Sequence, residues 1–90
     1  MYRFPEAWSV RDYDATWQAA KLAEECGEVS QAIIKGTSQQ VISEVIDVMQ
    51  VCENILRKYG CAEGMYREAM NDHIVRCEER GYYVTEESLL

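Results

Sequence analysis

Proline is almost missing from this chain. Pro5 is the only one among 90 residues, so nothing beyond the first few positions forces a helix to break. Histidine is equally scarce, with His73 alone. The four cysteines, Cys26, Cys52, Cys61 and Cys77, form no C-x-x-C pair, which argues against a zinc site. They read as free thiols filling a core in a reducing compartment. No apolar run approaches the roughly 18 residues of a membrane-spanning helix. The opening Met1-Tyr2-Arg3-Phe4-Pro5 has no apolar stretch of the signal-peptide kind. A cytoplasmic protein with no membrane partner is therefore expected. Positive charge is also short: nine Lys and Arg against sixteen Asp and Glu leave a net charge of −7. That balance argues against a nucleic acid or an anionic membrane as partner, since both reward a basic surface. It leaves a nucleotide open, because a divalent cation can invert the local sign.

What is present is apolar and periodic. Hydrophobic residues make up 48% of the chain, and they never alternate with polar ones over a strand length, so an all-α fold is expected. One domain is expected over 1–90, with 1–9 as an N-terminal arm and 82–90 as a C-terminal tail, frayed from Thr85 to Leu90. The first long helix is placed from about Val10 to Lys35. Ser9 and Asp12 have capping-box-like spacing, with Trp8 and Tyr13 as a staple, and Asp14 is a rival start. Ala19, Leu22, Cys26, Val29 and Ile33 form its apolar stripe. Gly36 is expected to end it in a left-handed cap. Gly27, inside it, reads either as close packing against a neighbour or as room for a ligand.

Thr37 and Gln40 have capping-box spacing and open a second helix that runs to about Tyr59. Its apolar residues cover most of the circumference, so it is expected to be buried on most sides, at the centre of a bundle. A third helix, Glu63 to Arg80, carries Tyr66, Ala69, Met70, Ile74 and Cys77 on one face, and Gly81 stops it. Gly60 and Gly64 are also expected at helix ends.

The stretch from Lys21 to Asp47 holds the chemistry. Glu25 and Glu28 are three apart, as are Glu44 and Asp47, and residues three apart share a helix face. Antiparallel packing of the first two helices would converge all four carboxylates. Oxygen-only ligands favour a hard cation such as Mg²⁺. At about 100° per residue, Val41, Val48, Val51 and Ile55 lie within about 60° of Glu44. Glu44 thus projects from an apolar arc, where an unpaired carboxylate is costly. Glu25 borders the first helix's stripe, and Glu28 and Glu24 turn progressively outward. The bland alternatives are a solvated acidic face for Glu24, Glu25 and Glu28, and a buried pair between Glu44 and Arg57, Arg76 or Arg80. Lys21 is placed to pair with Glu24 or Glu25. Arg76 and Arg80 share a face and read equally as solubilising charge or as phosphate ligands. His73 reads as structural or exposed. Trp17 reads as core or as the border of a pocket.

Glu25-x-x-Glu28, fifteen residues, then Glu44-x-x-Asp47 resembles the E-x2-E-x(12–28)-E-x2-D signature of the MazG-like all-α nucleoside triphosphate pyrophosphohydrolases. Lys21-Leu22-Ala23-Glu24-Glu25-Cys26-Gly27-Glu28-Val29 is similar to that family's KL.EE.GE(L/V) run. Gln18 sits where several members have glutamine, and Arg76 to Gly81 resembles a basic segment of small members. Val45-Ile46 is bulkier than in many of them. The resemblance spans about Gln18 to Gly81. It implies helical bundles in which two chains complete a four-helix unit, as a homodimer or homotetramer. It implies cleavage of a nucleoside triphosphate between the α and β phosphates, clearing unwanted nucleotides. It implies Mg²⁺, with Mn²⁺ as a substitute, on Glu25, Glu28, Glu44 and Asp47. Glu24 or Glu28 would activate water, and Lys21, Trp17, Arg76 and Arg80 would meet substrate. Two alternatives stand beside it: an enzyme of the phosphoribosyl-ATP pyrophosphatase type, and a non-catalytic helical dimerisation module.

Overall fold

In the computed structural model, which describes residues 1–84, three α-helices account for most of the chain: α1 (Ala15–Lys35), α2 (Ser38–Lys58) and α3 (Glu63–Glu79). No strand occurs among the described residues, and no helix there is long and apolar enough to cross a membrane. The expected frayed segment Thr85–Leu90 lies outside the described residues. The chain divides into two compact units, one from Tyr2 to Gly60 and the other made of Met1 and the residues from Cys61 onward.

α1 starts at the rival position, about five residues later than Val10. Asp14 is its N-cap and accepts a hydrogen bond from the Trp17 amide at 2.9 Å. This satisfies an amide that has no partner within the helix. Tyr13 closes over the cap by packing edge-on against Trp17, ring centroids 4.6 Å apart. Ser9, Asp12 and Trp8 belong instead to turns bonded through Val10–Ala7 and Tyr13–Val10, and Trp8 is exposed.

The link between α1 and α2 is as tight as the sequence suggests, but for another reason. Gly36 is extended rather than left-handed, with φ −103° and ψ −176°. What requires glycine is space: a Cβ there would lie 2.8 Å from the Ala32 carbonyl oxygen and 2.8 Å from Gln40 Oε1. That Gln40 oxygen accepts the Thr37 amide at 2.7 Å while Thr37 Oγ1 accepts the Gln40 amide at 3.2 Å, forming the expected capping box. Gly36→Ala should therefore destabilise the chain by about 1–3 kcal/mol through backbone crowding and loss of the box. An open site would instead gain about 0.4–1 kcal/mol. The shift of the urea midpoint distinguishes the two signs.

Gly60 and Gly81 do take the left-handed conformation, at φ 69° and 72°. After α3, the Gly81 amide reaches the Glu78 carbonyl and the Tyr82 amide the Cys77 carbonyl, which is the Schellman pattern. Gly64 lies within the first turn of α3 rather than at a boundary.

Burial departs from the sequence reading in an informative way. α1 and α2 pack together, and the face α1 turns inward is Gln18, Leu22, Glu25, Val29 and Ala32, rotated from the apolar stripe. Ala19, Cys26 and Ile33, the other half of that stripe, are exposed. On α2 the arc around Glu44 faces inward as expected, with Val51 buried and Val41, Val48 and Ile55 half-buried. The rest of α2 does not: Ile42 is 63%, Val45 40% and Ile46 44% exposed. α2 is thus not buried on most sides. The cysteines are mostly not core either, since Cys26 and Cys52 are exposed, Cys61 is intermediate and only Cys77 is buried. A chain this short cannot supply enough surface to cover a helix that is apolar nearly all round.

The N-terminal arm is fastened along the C-terminal half of α2. Glu53 accepts the Arg3 and Phe4 amides at 3.0 Å, and Arg57 donates from Nη2 to the Phe4 carbonyl at 2.7 Å. Arg57 also lies 4.3 Å above the Tyr2 ring.

Candidate metal centre

The tight turn at Gly36-Thr37 reverses the chain, so α2 runs back along α1 and the two acidic pairs meet. One carboxylate oxygen from each of Glu25, Glu44 and Asp47 lies within 4.8 Å of the others. The same holds for Glu24, Glu25 and Glu28. Glu25 belongs to both groups and joins them.

Glu25 is the most deeply placed of these carboxylates, 7% exposed. Its Oε1 pairs with Lys21 Nζ at 3.1 Å, and Lys21 also approaches Glu24 at 3.6 Å. The other oxygen, Glu25 Oε2, is shielded from solvent and has no hydrogen-bond partner. Glu44 Oε2 is in the same condition. Arg57, one of the arginines weighed for Glu44, is turned to the arm instead, and no ion pair engages Glu44 among the described residues. Two buried anionic oxygens with no protein donor, on facing helices, are costly as they stand.

Like charge shows its effect on Glu28. Its carboxyl is pushed above the ordinary glutamate range, first by a hydrogen bond shared with Glu44, then by the charge of Glu25, with slight desolvation and further repulsion from Glu44 and Glu24. A carboxyl with raised proton affinity favours the folded state below the ordinary glutamate range, and this contribution disappears as pH rises through the elevated value. A bound divalent cation would replace that proton. Cation loading should therefore weaken as pH falls toward the carboxylate range, and at higher pH than unshifted glutamates would dictate. Calorimetric titration with Mg²⁺ at a series of pH values measures this, and Glu28→Gln should flatten the profile.

Each group of three is all oxygen and within reach of a single ion, which fits a hard divalent cation. The four carboxylates expected to converge thus fall into two sets that share Glu25: Glu25, Glu44 and Asp47 across the two helices, and Glu28 with Glu24 and Glu25 along α1, with Asp47 and Glu28 at the exposed side. Glu24 is exposed, as its outward position on the helix predicts. A shallow cleft of about 230 Å³ adjoins the carboxylates, lined by Glu28, Gln31, Ala32, Lys35, Gly36, Gln40 and Glu44.

The other residues singled out from the sequence are more scattered. Trp17 is half-buried under Tyr13. Gln18, two turns before Glu25, is 3% exposed. Its Nε2 donates to the Val10 carbonyl at 3.2 Å, while its Oε1 is buried without a partner. Gly27 has no atom within 4 Å of where a Cβ would stand, so close packing within this chain does not explain it. His73 is exposed, with Nε2 3.4 Å from Cys77 Sγ. Arg76 and Arg80 lie at the C-terminal end of α3, in the other unit. Lys35, Gln31 and Gln40 were not legible as site residues, because their position depends on the turn and not on any motif.

No family model matches this chain, and neither a curated protein nor a solved structure does.

Proposed function

We propose that this protein is a Mg²⁺-dependent nucleoside triphosphate pyrophosphohydrolase that releases monophosphate and pyrophosphate, with Mn²⁺ able to substitute. One observation carries the reading: Glu25 Oε2 and Glu44 Oε2 are buried without protein partners on two facing helices, with Asp47 in reach. The choice of reaction rests on the E-x2-E and E-x2-D spacing and its resemblance to the MazG-like enzymes. Magnesium held by Glu25, Glu28, Glu44 and Asp47 would supply charge neutralisation on the phosphates and a lowered pKa for water.

The chain's own groups divide the remaining work. Lys21 holds the Glu25 carboxylate in place through its 3.1 Å contact. Glu28, with raised proton affinity, accepts a proton on its carboxylate when water is consumed. The exposed Glu24 is the second candidate for that role. The exposed apolar residues of α1 and α2 support pairing of two chains, which would bring two such helix pairs into one four-helix unit.

The test is pyrophosphate release from a panel of ribo- and deoxyribonucleoside triphosphates, with Mg²⁺ and with EDTA. Release from at least one triphosphate, dependent on the metal, is expected. Metal binding with no turnover of any nucleotide would instead support a non-catalytic module.

A further inference from the structure

Away from the carboxylates, a second hollow of about 240 Å³ opens between the arm and the C-terminal end of α2. It is lined by Glu6, Ala7, Arg11, Asp12, Asn54, Arg57 and Lys58. This is several times the roughly 30 Å³ share of one water molecule. Three of the nine cations of a chain with net charge −7 converge on it.

We propose that this hollow is a binding site for a small oxyanion of the phosphate class. Three observations support it. The first is the orientation of Asn54. Its Oδ1 accepts a hydrogen bond from Gln50 Nε2 at 2.9 Å, so the amide group of this lining residue that Gln50 does not engage is the donor, Nδ2. The second is the cation set. Arg11 lies over the Trp8 ring at 4.1 Å and Arg57 over Tyr2 at 4.3 Å, so two planar guanidinium groups stack on aromatic faces beside the hollow. Such groups suit phosphate oxygens. The third is incomplete neutralisation. The carboxylates lining the hollow are Glu6 and Asp12, and only a 3.7 Å contact between Arg11 and its chain neighbour Asp12 joins the two signs there. The simpler roles of these residues do not account for the cavity. Arg57 and Lys58 complement the dipole at the end of α2 and Arg57 fastens the arm, but both tasks could be done in a closed, packed contact.

The proposal is independent of the function assigned to the carboxylates, and its test keeps the two apart. The full-length chain is titrated with inorganic phosphate, and separately with acetate, in EDTA so that no metal can recruit the anion to the acidic cluster. The resonances followed are the Asn54 side-chain amide and the Arg11 and Arg57 guanidinium Nε. Phosphate should shift them saturably and acetate should not. Arg11→Gln and Lys58→Gln, both at exposed positions, should each weaken binding by about ten-fold, the scale of one charge-assisted hydrogen bond. Absence of a saturable shift, an equal response to acetate, or unchanged affinity in both variants with unaltered helical circular dichroism would each overturn the site.

Discussion

Glu44→Gln should abolish Mg²⁺-dependent pyrophosphate release and, at the same time, stabilise the metal-free chain. The two effects have one cause. Glu44 Oε2 is buried without a partner and stands with Glu25 and Asp47 inside a 4.8 Å group. In the absence of a cation this is like-charge repulsion only partly offset by Lys21 at Glu25 and by the hydrogen bond shared between Glu28 and Glu44, and replacing the unpartnered buried anion with a neutral group of the same shape should be stabilising, by roughly 1–2 kcal/mol. With the ligand removed, the ion's contribution to the reaction goes as well. That contribution is several kcal/mol, or about a thousand-fold in rate. Wild-type protein at a Mg²⁺ concentration about a hundred times its dissociation constant should gain about 2.7 kcal/mol against unfolding, and the variant should gain almost none. Urea midpoints with and without Mg²⁺, beside a pyrophosphate assay, give all three readings. Normal turnover by Glu44→Gln would remove the site assignment, and so would a wild-type midpoint indifferent to Mg²⁺.

The second large effect concerns the apolar side. Val45 is 40% exposed and lines a shallow hollow of about 190 Å³ with Cys26, Val29 and Val48. Ile42, Ile46, Ile33 and Ile34 are more exposed still. If two chains pair through this side, Val45→Glu places a charge in the contact twice, once per chain. Losing burial of two valines costs about 3 kcal/mol, enough to weaken dimerisation more than a hundred-fold before the charge itself is counted. Sedimentation should find wild type as a dimer or tetramer and the variant as a monomer with reduced helical signal. An oligomer that persists unchanged in the variant would place the interface elsewhere.

The reversal of burial on α1 ties these predictions together. The residues turned inward include a glutamine and a glutamate, Gln18 and Glu25, while Ile33 and Ile34 stand in solvent. Two polar side chains buried within a largely apolar helix contact, beside isoleucines left exposed, are what the proposed ion and a proposed partner chain would require.

Much of the helical framework could be read from residue order, because its signals are local. The capping box at Thr37 and Gln40 needs only a spacing of three. The helix ends at Gly60 and Gly81 need only a glycine after a periodic segment, although the left-handed turn was expected at Gly36 and is found at these two instead. The position of Glu44 within its arc follows from the helical repeat. The start of α1 was less legible, since Ser9 and Asp14 both offer a cap. Asp14 prevails because Tyr13 then packs on Trp17, while the residues before it form turns and a strap along α2. The anchoring of that strap by Glu53 and Arg57 joins positions about fifty residues apart, and no local pattern announces it.

By itself, then, the sequence determined that the chain is helical, where its caps and glycines divide it, and that two acidic pairs could share one face each. These depend on periodicity and short-range hydrogen bonding, which neighbouring residues settle among themselves. Only the tertiary structure decided how α1 is rotated against α2. That rotation buried Glu25 rather than Cys26, left Glu25 Oε2 and Glu44 Oε2 without partners, and exposed the isoleucines. It also showed that Gly36 is required for space and not for a left-handed turn. The rotation is set by which whole faces fit together, a sum over many contacts between distant residues, and a one-dimensional pattern of apolar residues does not contain it.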